Sequence, residues 1–112
     1  MQALAASLDL DVLARIGVAL ADESRRRLLA ALLDGPGYPA ELAESLGLTR
    51  ANVSNHLACL RGCGIVTGKP EGRRVRYELA DPRLANTLRL LAAMTLTVDP
   101  TACPDARVGD CC

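Results

Sequence analysis

The sequence predicts a mainly α-helical fold that carries one small β-hairpin. Through most of the chain, apolar residues recur at the three- and four-residue spacing of amphipathic helices, but between Ile65 and Leu79 the period drops to two. Composition supports the same class. Half of the 112 residues are hydrophobic, yet Tyr38 and Tyr77 are the only aromatics, so Leu, Val, Ile and Ala must build the core, as in packed helices. A chain of this length is one domain, small enough that a partner subunit would help to stabilise it.

The spacing predicts a flexible N-terminus over 1–7, a folded domain over 8–98 and a cysteine-containing tail over 99–112. The first helix spans Leu8 to Leu20, with Leu10, Leu13, Ile16, Val18 and Leu20 as its apolar face. Ala21-Asp22-Glu23-Ser24 interrupts it, and Ser24 is the expected N-cap of a second helix over 24–34. There Leu28, Leu29, Leu32 and Leu33 face inward and Arg25, Arg26 and Arg27 outward. Asp34-Gly35-Pro36-Gly37 stops it. A short helix over 39–46 follows, with Pro39 in its first turn, Leu42, Ala43 and Leu46 inside, and Gly47 as the left-handed residue that ends it. Thr49 caps the next helix, over 50–62, whose buried stripe is Val53, Leu57 and Leu60; Gly62 and Gly64 close it.

The change of period then predicts a strand over 65–68, a turn over 69–73 and a strand over 74–79. Val75, Tyr77 and Leu79 point one way, and Arg74, Arg76 and Glu78 the other. A last helix, starting at Asp81-Pro82, is expected over 82–98 with Leu84, Leu88, Leu90, Leu91, Met94 and Val98 on it. No internal repeat is visible.

Formal net charge is zero, so bulk electrostatics give no support to nucleic-acid binding, and a local surface must supply it. The first apolar stretch is broken by Asp9, Asp11 and Arg15, unlike a signal peptide, and no apolar run approaches the ~20 residues of a membrane span. The expected setting is the cytoplasm, where thiols stay reduced and five cysteines favour a metal or redox role over a disulfide framework. No nucleophile is paired with a base, so enzyme chemistry and an organic cofactor are not expected.

Two short helices joined through Gly47 and followed by a hairpin have the order of a winged helix-turn-helix. Thr49, Arg50, Asn52, Ser54, Asn55 and His56 populate the exposed side of its second helix, and side chains of these kinds address base edges and phosphates. From Arg61 to Arg76, five cations (Arg61, Lys69, Arg73, Arg74 and Arg76) face Glu71 alone. Taken alone, Arg73, Arg74 and Arg76 would be a solvated strand face. Beside a helix-turn-helix they become contacts to double-stranded DNA. His56, the only histidine, has no second histidine with which to hold a metal.

Cys59 and Cys63 lie four residues apart, so they share a helix face with β-carbons about 5–6 Å apart. Two thiolates so placed can both reach one soft ion, whose bonds to sulfur run ~2.3 Å or longer. Two ligands are too few for a tight site, and Cys103 is the evident third. Cys111 and Cys112 offer a second, weaker thiolate site, a capture arm, or exposed thiols without function.

Ala21-Asp22 with Arg25 and Arg27, Glu41-Leu42-Ala43, Leu48-Thr49, Val53-Ser54-Asn55-His56-Leu57 and Glu71-Gly72-Arg73-Arg74-Val75-Arg76-Tyr77 together resemble the ArsR/SmtB family of metal-responsive bacterial repressors. The resemblance covers about residues 10–98. It implies a homodimer, paired through the first and last helices, that holds a dyad-symmetric operator and lets go when inducer binds. Cys-Leu-Arg-Gly-Cys-Gly after Ser-Asn-His-Leu-Ala is similar to the CmtR-type sensors of cadmium and lead. That likeness implies a site of Cys59 and Cys63 with Cys103 of the partner chain, loaded with Cd2+ or Pb2+, and Zn2+ as the other candidate. Two competing readings are a thiol redox-sensing repressor and a thiol metal buffer or interaction module without an operator.

Overall fold

A computed structural model describes residues 8–102, in five helices and one hairpin. Helix α1 runs Leu10–Leu20, α2 Glu23–Leu32, α3 Pro39–Leu46, α4 Arg50–Gly62 and α5 Pro82–Ala92; strands β1 (Val66–Glu71) and β2 (Arg74–Leu79) lie between α4 and α5. No helix among the described residues is long and apolar enough to cross a membrane.

Local chemistry sets most of the helix ends. Asp9 caps α1 by accepting from the backbone N–H groups of Asp11 and Val12, and Thr49 caps α4 by accepting from Asn52 N–H at 3.1 Å. The N-cap of α2 is Asp22, not Ser24: its carboxylate accepts from Arg25 N–H at 3.0 Å. Both types can cap, but an aspartate also sets a full negative charge against the helix N-terminus, and Ser24 falls inside the first turn.

Two left-handed glycines end the central helices in the same way. At Gly47 (φ +68°), Leu48 N–H returns to the Ala43 carbonyl at 2.9 Å. At Gly64 (φ +79°), Ile65 N–H returns to the Leu60 carbonyl at 2.9 Å.

Of the α2 arginines, Arg26 and Arg27 are exposed as expected, but all three reach back to backbone carbonyls. Arg25 is half-buried and donates to the Val18 carbonyl at 2.7 Å, Arg26 donates to the Leu20 carbonyl at 2.8 Å, and Arg27 donates to the Leu46 carbonyl. They reach carbonyls of the last turns of α1 and α3, where the backbone leaves acceptors free or, as at Val18, only weakly engaged by the Ala21 cap N–H at 3.3 Å.

Leu28, Leu29, Leu32, Leu42, Ala43, Val53, Leu57, Leu60, Ile65, Val66 and Tyr77, with Ala19, form the core. It gathers around α4, whose Val53, Leu57 and Leu60 are fully buried. Leu33, expected inside, is only half-buried. The outer helices are different. Leu10, Leu13 and Val18 on α1 and Leu90 and Leu91 on α5 are exposed, and α5 buries none of its residues.

The hairpin is longer than its sequence suggests. Lys69, Pro70 and Glu71 belong to β1, and the turn is only Gly72-Arg73, closed by the pairing of Glu71 with Arg74. Gly72 takes φ +64° while Arg73 stays at negative φ, the pattern of a type II′ turn. Pro70 fits because it opposes Val75 one rung from the closing pair, where an antiparallel ladder asks for no N–H.

Helix α5 ends at Ala92, short of the expected 98. Thr95, Thr97 and Val98 are β-branched, and Met94, Leu96 and Val98 are exposed, so neither propensity nor packing extends it.

Candidate nucleic-acid interface and thiol pair

Helix α4 carries both sets of candidate residues. Arg50, Asn52, Ser54 and Asn55 are exposed on its first half, which the Thr49 cap and the Gly47 turn set against α3. Arg50 and Ser54, one turn apart, open onto a notch of about 390 Å³ walled by Tyr38, Pro39 and Ala40 of the α3 start and by Arg73, Arg74 and Val75 of the wing. Reading helix and wing thus share one polar, cationic surface, though only part of the expected cation set faces it freely. Arg73 sits at the exposed hairpin tip, and Arg76 is half-buried on β2.

Three predicted residues are already engaged within the protein, and for His56 and Arg74 the sequence did not reveal the partner. The Thr49 hydroxyl is occupied by its own helix cap. The His56 side chain is 18% exposed, with Nε2 3.7 Å from Asp22 Oδ2, so it leans on the start of α2 rather than standing free. The Asp22 carboxyl is held below its usual range, first by the Arg25 backbone N–H and then by the charges of His56 and Arg25. Arg74 lies flat over the Tyr38 ring, 3.5 Å from its centroid, and donates to Glu41 Oε2 at 2.8 Å. Tyr38 and Glu41 were missed as members of this surface. The one available signal is that they stand three residues apart, on one face of the first turn of α3.

Cys59 and Cys63 are half-buried free thiols, one turn apart; the Cys63 N–H donates to the Cys59 carbonyl at 3.0 Å. Cys63 is the last residue before the left-handed Gly64, at the joint between α4 and the wing. It lines a cleft of about 460 Å³ with Val12, Arg15 and Ile16 of α1, Ile65, and Asp81, Arg83, Leu84 and Thr87 of the α5 start. Among the described residues, the one carboxylate on that cleft is already taken. Asp81 receives Arg83 Nη2 at 2.7 Å and Nε at 3.1 Å, and these bonds hold its carboxyl down to about 2. Among the described residues, no three His, Cys, Asp or Glu side chains gather as a metal site. The donor set is therefore two soft sulfurs, suited to a soft ion and incomplete without a further ligand. Cys103, Cys111 and Cys112 lie outside the described residues.

The comparisons with known proteins agree with this geometry. Residues 22–67 match the model of the bacterial regulatory protein arsR family. The HTH-type transcriptional regulator CmtR of Mycobacterium tuberculosis is 62% identical over 87 residues, which cover 78% of this chain and 74% of that protein. The NMR structure of the cadmium metal-sensor CMTR from the same organism aligns with a TM-score of 0.63, over 77% of this chain and 90% of that one. A homodimeric winged helix-turn-helix DNA-binding domain from Mycobacterium bovis, 31% identical, aligns with a TM-score of 0.67 over 74% of this chain and 80% of its own. The chain belongs to the ArsR/SmtB family of winged helix-turn-helix transcriptional regulators.

Proposed function

We propose that this regulator represses transcription as a homodimer bound to a dyad-symmetric operator, and that it releases the DNA when cadmium or lead, with zinc as the other candidate, binds its thiolates. The observation that carries the reading is the placement of two free, half-buried thiols at the far end of the helix whose first half bears the exposed Arg50, Asn52, Ser54 and Asn55. The site would consist of Cys59 and Cys63 with Cys103 of the partner chain, and Cys111 and Cys112 would form a weaker second site. Its setting would be the cytoplasm, where thiols stay reduced.

In the DNA-bound state, Arg50, Asn52, Ser54 and Asn55 face base edges, with Thr49 and His56 at the margins and Arg73 and Arg76 against flanking phosphates. Two-fold symmetry sets the half-sites about 10 bp apart or a small multiple of that. The exposed apolar faces of α1 and α5 support pairing through these helices, because no described residue of the same chain covers them. A soft ion held by the thiolates would supply positive charge and a cross-link. The chain's own contribution is leverage. From Arg50 to Cys63 the helix is continuous, about 20 Å long. The Leu60–Ile65 bond beyond Cys63 ties its end to β1, so a shift at Cys63 is passed to both reading helix and wing. Linkage requires that operator DNA weaken metal binding by the same factor.

A mobility-shift assay on the gene's own upstream region, with each metal titrated in turn, tests the reading. Cadmium should release wild-type protein. Cys59→Ser and Cys63→Ser should bind the fragment as tightly as wild type and stay bound. Operator affinity that does not change at saturating cadmium would sink the sensor reading.

A further inference from the structure

We infer that Arg74 is a positioning residue that pins the wing to the start of α3, and that the cation it carries is spent within the protein rather than on operator phosphate. This rests on the operator reading above. Four side chains, from the start of α3 and from both strands of the hairpin, are joined in one cluster. Arg74 stacks on the Tyr38 ring at 3.5 Å and donates to Glu41 Oε2 at 2.8 Å. The Tyr38 hydroxyl donates to Glu71 Oε1 at 2.7 Å, and Glu71 is the partner of Arg74 on the last rung of the hairpin. A second fastening lies three residues further along β2, where Gly37 and Tyr77 exchange backbone hydrogen bonds of 2.8 Å in both directions. Between them these contacts hold β2 against the helix-turn-helix along most of its length.

The chemistry of the cluster explains why an arginine stands there. A planar guanidinium can lie on an aromatic face and donate in its own plane to a carboxylate, whereas a lysine ammonium cannot do both. The charges nearly cancel, since Glu41 neutralises Arg74 at contact distance. Arg73, one residue earlier at the exposed tip, makes no ion pair among the described residues. Adjacent arginines thus divide the work, Arg73 toward phosphate and Arg74 toward the protein.

The salt dependence of operator binding separates these roles. Each phosphate neutralised contributes about 0.9 to the slope of log affinity against log salt. Fluorescence anisotropy with the upstream fragment, from 50 to 300 mM KCl, should show Arg73→Ala losing about one unit of slope. Arg74→Ala should weaken binding by about three- to tenfold at every salt concentration and leave the slope unchanged. Arg74→Lys should resemble Arg74→Ala, because charge without the planar fork cannot rebuild the cluster. Glu41→Gln should weaken binding to a similar degree, and combining it with Arg74→Ala should add little. A slope loss near one in Arg74→Ala that lysine restores, or tighter binding by Glu41→Gln, overturns the assignment while leaving the operator reading intact. Wild-type protein that retards no upstream fragment overturns both together.

Discussion

If the chain pairs as proposed, replacing Leu10 and Leu13 of α1 with alanine should convert it from dimer to monomer without unfolding it. Within one chain these side chains are 69% and 54% exposed, so they contribute little to the core. Covering a leucine side chain completely is worth about 2 kcal/mol relative to leaving it in water. Covering the exposed part of each is then worth roughly 1 kcal/mol. A two-fold interface counts both residues twice, so the double variant should lose about 4 kcal/mol of association energy. At 1.4 kcal/mol per decade, that is about a thousandfold in the dimer dissociation constant. Sedimentation equilibrium at micromolar concentrations reads this directly. Far-UV circular dichroism should show helix content retained, because alanine is the better helix former. Operator affinity should fall with dimerisation, since a monomer reaches one half-site. A double variant that dimerises as tightly as wild type would remove α1 from the interface and refute the reasoning.

Three further outcomes are expected. Leu57→Ala leaves a cavity at a fully buried position of α4 and should cost about 2–5 kcal/mol in urea unfolding; a cost below about 1 kcal/mol would contradict the packing. In Gly68→Ala the new β-carbon would lie 2.9 Å from Tyr77 Cε1, and the buried ring must shift; a loss of about 1–3 kcal/mol should appear in thermal unfolding. Asp22→Asn keeps an N-cap but removes a carboxylate whose folded pKa lies below the ordinary 3.8. A depressed folded pKa adds stability that is present above the unfolded value and lost as pH falls through the folded one. Wild type should therefore lose more stability than Asp22→Asn on acidification below about pH 4, and parallel acid titrations of the two would remove Asp22 from that account.

The sequence by itself determined most of what depends on near neighbours, the Asp22 cap of α2 and the tight Gly72-Arg73 turn being the local exceptions. Thr49, Pro39, Gly47 and Gly64 mark helix ends through bonds only a few residues long, and α3 and α4 occupy the spans their periodicity indicates. The thiol pair was legible for the same reason, because a four-residue step on a helix settles which side chains share a face. Tertiary structure decided what depends on distant partners. Both bonds that fasten the wing to α3, Tyr38 to Glu71 and Arg74 to Glu41, join residues 33 apart, and no local pattern announces them. For the same reason His56, which reads as an exposed polar residue of α4, rests beside Asp22 of another element. Helix α5 stops early because apolar spacing extends a helix only where packing rewards it, and Met94, Leu96 and Val98 are largely exposed among the described residues. Helix α4 could thus be read in advance as exposed polar side chains at one end and a thiol pair at the other. How its wing is held, and which of the adjacent Arg73 and Arg74 is paired within the protein, emerged only from the folded chain.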